Sequence, residues 1–223
     1  MAADVLQRVA DQVYRVVDRY VNVYVLDLGK IVLVDTGTKK AGPTIRAGLK
    51  EIGKEPEDVA VLLLTHHHVD HIGTAAAWQR DARAQVTLTA IDAPAAAGHE
   101  RRRTHGLTPR TKVVAALMGV FVPLMRTPPV TADRRLEGGE TLDVAGWPID
   151  VIPAPGHTLG SCAYYARRAG LLFAGDAVNG RAGTPEPPVL AEDPAAAIAS
   201  YRKLVDLHAP VLLPGHGSVV RGA

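Results

Sequence analysis

Cysteine is nearly absent. Cys162 is the single one in 223 residues, so no disulfide can close within the chain, which fits a reducing compartment. No apolar run reaches the roughly 18 to 20 residues that a membrane-crossing helix needs. The opening Met1-Ala2-Ala3-Asp4-Val5-Leu6-Gln7-Arg8 has an early acid and no continuous apolar core, unlike an export signal. Neither sign of charge dominates: the formal net charge is +2, which by itself calls for no nucleic-acid or anionic-membrane partner. A Gly-x-Ser-x-Gly nucleophile elbow, a His-Glu-x-x-His zinc helix and a Gly-rich phosphate loop are all missing, and with them the chemistries that those motifs position. What remains is an ordinary globular composition, 47% hydrophobic and 22% charged, which argues against a largely disordered chain. The expectation is a soluble, cytoplasmic protein whose length suits one α/β domain over residues 1–223.

Strand and helix signals alternate along the chain, which predicts an α/β fold. Residues 13 to 35 read as a meander of short strands, Val13–Val17, Val21–Leu26 and Ile31–Asp35, with Leu28-Gly29-Lys30 as a turn. Gly42-Pro43 and the spaced Ile45, Leu49 and Ile52 predict a helix ending near Gly53. A buried strand over Val59–Leu64, an Ala-rich helix to about Arg83 and a strand over Gln85–Thr89 follow. Between about residues 93 and 135 the tidy pattern gives way to Ala-, Arg- and Pro-rich pieces, which read as an inserted cap over the site. Within 99–135 stand eight bases, Arg101, Arg102, Arg103, Arg110, Lys112, Arg126, Arg134 and Arg135, against Glu100 and Asp133. They form a solvated face or steer an anionic substrate or headgroup. The apolar run 113–125 among them fits a core helix, a homodimer interface or membrane-surface contact, or a pocket wall, rather than a membrane span. Strands over 141–144, 149–152, 161–165 and 170–174, a helix from Pro194 to Leu207 and a last strand over 211–213 close the chain.

The densest chemistry lies in Thr65-His66-His67-His68-Val69-Asp70-His71, on a loop between the buried strand and the next helix. Imidazole and carboxylate suit zinc, iron and manganese. Three adjacent histidines alone read equally well as a surface tract. The spacing His-x-His-x-Asp-His is far more particular. Three later strand ends each add a candidate in a Gly-flanked loop: Pro155-Gly156-His157-Thr158, Ala174-Gly175-Asp176-Ala177 and Pro214-Gly215-His216-Gly217. Each alone is more often a capped turn. Their joint occurrence, each beyond an apolar strand, predicts a metal site. Cys162 is expected to be a buried structural thiol.

The His-x-His-x-Asp-His motif, the Asp35-Thr36-Gly37 loop and the later His157, Asp176 and His216 loops together resemble the metallo-β-lactamase superfamily, nearest to its glyoxalase II and lactonase-like branches. The segment Gly156-His157-Thr158-Leu159-Gly160-Ser161 is most like the former. Lactonases place a tyrosine three residues beyond the bridging aspartate, where this chain has Asn179. The resemblance implies a four-layer αβ/βα sandwich with the helical insert mid-chain. It implies two divalent metal ions, one on His66, His68 and His157, the other on Asp70, His71 and His216, with Asp176 between them and Asp35 supporting. Zinc is the expected occupant, with iron and manganese also compatible. The activity implied is hydrolysis of a small-molecule ester, lactone or thioester by a metal-bridging hydroxide, with Asp70 as catalytic proton shuttle. His67 is expected to support a neighbour or face solvent. The alternatives are a mononuclear iron persulfide dioxygenase of the same fold and a non-enzymatic metal-binding protein.

Overall fold

The computed structural model describes residues 5–121 and 127–222. Strands β1 (Gln7–Ala10), β2 (Val13–Asp18), β3 (Val21–Leu28) and β4 (Lys30–Val34) form an antiparallel meander. Helix α1 (Gly42–Glu51), with Pro43 in its first turn, returns the chain so that β5 (Val59–Leu63) joins β4 in parallel. Helix α2 (Ala75–Asp81) makes the next crossover, to β6 (Gln85–Thr89), parallel to β5. The short helix α3 (Ala93–Ala96), the two-residue strand β7 (His105–Gly106) and helix α4 (Pro109–Phe121) come next. Strand β8 (Arg134–Leu136) then adds to β6 and completes a seven-stranded sheet in the order β1-β2-β3-β4-β5-β6-β8.

The second sheet is built from β9 (Thr141–Val144), β10 (Trp147–Pro153), β11 (Cys162–Ala166) and β12 (Leu171–Gly175), all antiparallel neighbours. A small hairpin, β13 (Asn179–Arg181) with β14 (Thr184–Glu186), and β15 (Leu190–Ala191), which pairs with β7, lead into helix α5 (Pro194–Val205). Strand β16 (Val211–Pro214) lies parallel to β12, and β17 (Val220–Arg221) closes the edge, so the order is β17-β16-β12-β11-β10-β9.

Side-chain alternation sorts these strands into four layers, because successive residues of a strand face opposite sides of its sheet. From β3 and β4, Val23, Val25, Ile31 and Leu33 face α1 and α2 and pack with Ile45, Leu49 and Trp78. The intervening Tyr24, Leu26, Val32 and Val34 face the second sheet and meet Leu142, Ile149, Val151, Tyr164 and Phe173. The far face of the second sheet, with Ala163, Leu172, Ala174 and Leu212, packs on Leu204 of α5. Covering both faces of each sheet is why its strands read as near-continuous apolar runs. The αβ/βα sandwich expected from the sequence is therefore the observed architecture.

Helix α2 ends at Asp81, two residues short of the sequence expectation, because Arg83 takes a left-handed φ of 56° that no helix continues. The mid-chain segment holds α3, β7 and α4, and the last residues of the 113–125 apolar run, from Val122 on, lie outside the described residues, as do Met1–Asp4. Val113 of α4 is exposed. Among the described residues no helix is long and apolar enough to cross a membrane.

Candidate metal centre

Four loops meet at one edge of the sandwich, each leaving the C-terminal end of a strand, where the backbone is released from its ladder and side chains can converge. His66–His71 follow β5, His157 follows β10, Asp176 follows β12 and His216 follows β16. The first comes from one sheet and the other three from its partner. Gly156, at φ +131°, lets the His157 loop lie against the start of α5, where any Cβ would collide with the backbone of Ala197. The β2–β3 hairpin clasps the His216 loop: Asn22 Nδ2 donates to Pro214 O and Gly217 O, at 2.9 and 3.0 Å, and the buried Tyr24 hydroxyl donates to Pro214 O at 2.7 Å.

The histidines are fixed by the nitrogen that faces away from the cluster. His157 Nδ1 lies 2.8 Å from Leu190 O and His216 Nδ1 lies 2.9 Å from Tyr20 O. A carbonyl only accepts, so both rings carry a proton on Nδ1 and turn Nε2 toward the cluster, where it can ligate an ion once free of any proton. The buried Asp35, at φ 59°, accepts from His71 Nδ1, Thr65 N and Thr65 Oγ1, each at 2.8 Å. The Thr65 hydroxyl, its proton spent on Asp35, accepts in turn from His66 Nδ1 at 3.0 Å. Carboxylate or carbonyl oxygens behind imidazoles are how metal-ligating histidines are oriented. Asp35 thus supports the cluster, as the sequence suggested.

Two triads result. His66, His68 and His157 offer nitrogens that lie within 4.8 Å of one another, and so do the ligand atoms of Asp70, His71 and His216. Asp176 stands between them: its Oδ2 is 3.3 Å from His157 Nε2 and 3.0 Å from His216 Nε2, and its Oδ1 is 3.1 Å from His71 Nε2. Asp70 Oδ2 lies 3.7 Å from His216 Nε2. All seven sequence candidates are brought together. His66 Nε2 and Asp176 Oδ1 are buried without a hydrogen-bond partner, the latter close to His71 but out of line with it. Buried polar atoms are otherwise nearly always satisfied, so these residues fit a divalent ion.

The electrostatics agree. Burial, reinforced by neighbouring histidines, pushes His66 and His68 well below the usual histidine range, and burial lowers His157. All three are neutral at pH 7, the form in which an imidazole can ligate. Burial works against the charge on Asp176, but the facing His216, His71 and His157 outweigh it and hold the carboxyl well below its usual range. Burial likewise opposes charge on His71, and Asp176 and Asp35 outweigh it, raising the ring well above its usual value. The position between the triads therefore favours a cation. Cys162 is buried under the site with its thiol pushed up to about 12 by desolvation, an inert structural group.

Several participants escaped the sequence. Asp92, fully buried between β6 and α3, accepts from His67 N, Thr158 Oγ1 and Gly160 N, at 3.1, 2.6 and 3.0 Å, and so ties the first histidine loop to the His157 loop. Arg102 donates to Asp92 at 2.8 Å. His67 does not face solvent: it lies against Asp92 and Glu192. Tyr20 is exposed and stacks on His216 with ring centroids 5.6 Å apart. Asp92, Arg102 and Tyr20 carry no motif, and only tertiary contact assigns them.

Histidines and aspartates converging from four loops on two facing sheets define a metal-centre protein of the αβ/βα sandwich class. A family model described as the metallo-beta-lactamase superfamily matches residues 16–216, and the chain belongs to that superfamily. It is 30% identical over 151 residues to a hydroxyacylglutathione hydrolase of Bdellovibrio bacteriovorus, a match that covers 68% of this chain and 45% of that enzyme. The chain thus spans less than half the length of that relative. It is 29% identical over 213 residues to the uncharacterized protein YobT of Bacillus subtilis, covering 90% of this chain and 84% of the other. Among solved structures, a metallo-beta-lactamase family protein of Thermus thermophilus superposes with a TM-score of 0.72 at 29% identity, over 96% of this chain and 76% of that one.

Proposed function

We propose that the chain is a dinuclear metal-dependent hydrolase of a small ester, lactone or thioester. What supports this reading is Asp176 set between two triads, with Oδ2 against His157 of the first and His216 of the second and Oδ1 against His71 of the second. His66, His68 and His157 would hold one ion, Asp70, His71 and His216 the other, and Asp176 both. Zinc is the occupant proposed, since imidazole and carboxylate suit it well. When bound, two divalent ions supply Lewis acidity toward a carbonyl oxygen and lower the pKa of water.

The chain's own residues do the rest. Neutral His66, His68 and His157 leave the local positive charge largely uncompensated, which favours a developing oxyanion. Asp35 and the carbonyls of Leu190 and Tyr20 hold three rings in one tautomer. Asp70, part-exposed with Oδ2 3.7 Å from His216, stands at the open side of the cluster, placed to take a proton and deliver it to a leaving alcohol or thiol. The segment from residue 93 up to β8 is proposed as the cap, joined to the site where β7 pairs with β15, the strand that supplies the Leu190 carbonyl, while Arg134 and Arg135, at the end of the range expected from the sequence, belong to β8 of the seven-stranded sheet. The hydroxyacylglutathione hydrolase relatives make a thioester the first substrate class to try.

The test is elemental analysis of metal per chain on protein purified without added metal, together with a panel of thioesters, lactones and esters. Two ions per chain and hydrolysis lost in Asp176→Ala are expected. One iron per chain, with oxygen consumed in the presence of glutathione persulfide, would overturn the hydrolase and make the protein a sulfur dioxygenase.

A further inference from the structure

His67 is built like a ligand although it points away from both triads. Its Nδ1 lies 3.0 Å from Oδ2 of the fully buried Asp92, which stands behind the ring as Asp35 stands behind His71, but out of line for the hydrogen bond that His71 Nδ1 makes. Its other nitrogen, Nε2, faces Glu192 Oε1 at 3.8 Å. That separation is too long for a hydrogen bond. Glu192 Oε1 has no hydrogen-bond partner although its side chain is only 5% exposed. A buried carboxylate oxygen and an imidazole nitrogen thus confront each other, and the ligand atoms of His67, His68 and Glu192 all lie within 4.8 Å of one another. Two ligand atoms on a tetrahedral ion with bonds of about 2.0 Å stand about 3.3 Å apart, so the pair needs to close by only about half an ångström.

The surrounding charge points the same way. Three carboxylates, Asp92, Glu192 and Glu100, gather around the one guanidinium of Arg102, which lies 2.8 Å from Asp92 and Glu100 and 3.7 Å from Glu192 Oε2. Arg102 is directed at the oxygens that Asp92 and Glu192 turn away from His67. Glu100 is exposed, so the buried groups, Asp92 and Glu192 against Arg102, leave one negative charge out of water, where unpaired charge is costly, and burial accordingly raises the Glu192 carboxyl above its usual range.

We propose that His67, His68 and Glu192 form a third divalent-cation position beside the two triads, of the class that takes zinc or another first-row ion, with His68, whose Nδ1 already faces His157, giving its second ring nitrogen as a bridging imidazolate and releasing that proton to solvent. Loss of one carboxylate or imidazole from its three ligands should cost more than the about 10- to 100-fold in affinity that follows loss of a mere supporting partner. This position does not depend on the hydrolytic reading, since it is counted as a difference between variants.

The experiment is a zinc titration of the metal-free full-length chain, followed by calorimetry and by elemental analysis after gel filtration, for the wild type, Glu192→Gln and His67→Gln. Melting of each metal-free variant checks that it is folded. The wild type should hold one ion more than either variant, whatever the total. Equal counts in the wild type and Glu192→Gln, or a loss in only one of the two variants, would overturn the proposal.

Discussion

Asp35→Asn is the sharpest single perturbation of the candidate centre. The residue sits at φ 59°, a conformation that asparagine tolerates as well as aspartate, so the change removes a charge and an acceptor with little change of shape. Asp35 Oδ1 accepts from Thr65 N, and Oδ2 accepts from both Thr65 Oγ1 and His71 Nδ1. An amide has one acceptor, so in either orientation something fails. With the carbonyl at Oδ2, the amide nitrogen meets the Thr65 N–H. With the carbonyl at Oδ1, it meets His71 Nδ1, and His71 keeps the contact only by moving its proton to Nε2, the nitrogen 3.1 Å from Asp176 Oδ1. Losing one charge-assisted hydrogen bond costs about 1.5–3 kcal/mol. Loss of a partner behind a metal-ligating histidine costs about 10- to 100-fold in affinity, or about 1.4–2.8 kcal/mol at 1.4 kcal/mol per tenfold. The two routes agree. Zinc competition against a chromogenic chelator should show one of the ions weakened by that factor, while the metal-free melting point falls modestly. Unchanged affinity for every bound ion would refute the account of how His71 is oriented.

Gly215→Ala places a methyl group against Asp176 Oδ1 and His71 Cε1, so metal content and hydrolysis should fall together while far-UV circular dichroism of the metal-free protein stays native; full metal occupancy would contradict the geometry. Zinc added to the metal-free chain should release protons, because Asp176 outweighs burial to raise both His71 and His216; calorimetry in buffers of different ionisation enthalpy reads the number, and zero would count against the electrostatics. Chelation should lower the melting temperature, since an ion at a hundred times its Kd stabilises the folded state by about 2.7 kcal/mol. Burial raises the Asp92 carboxyl, but His67, Thr158 and Arg102 outweigh it and hold it below its usual value. Its stabilisation is therefore present above the unfolded pKa of about 3.9 and lost as pH falls through the lower folded value. The stability gap between wild type and Asp92→Asn, read from urea midpoints, should narrow between pH 7 and pH 3, and a constant gap would refute it. Tyr164→Phe, which removes a buried bond of 2.9 Å to Leu64 O, should cost about 1 kcal/mol and leave metal content unchanged.

Which features the sequence disclosed follows from how far apart the cooperating residues lie. The strands β6 and β9 match their sequence expectation residue for residue, because each is an apolar or alternating run bounded by turn residues. The candidate ligands were legible for another reason: each stands in a Gly-flanked loop after such a run, so a local pattern marks every one even though the four loops are up to 150 residues apart. Strand β1, the β13–β14 hairpin and β17 were missed although each pairs with its neighbour in sequence, since strands of two to four mostly polar residues are too short to show an apolar alternation. Asp92 shows the limit best. Its neighbours in sequence are Ile91 and Ala93, and it reads as a loop acid, yet it binds three groups from the loops at 67 and 158–160. Arg102 and Glu192 are alike in this: one lies in the Arg-rich stretch and the other beside a helix cap, both ordinary places for a solvated charge. What distinguishes them is burial beside His67, and burial of a charge is a property of the assembled fold. A pattern search therefore finds the candidate ligands that loops present and overlooks the buried charges that decide how those side chains are held.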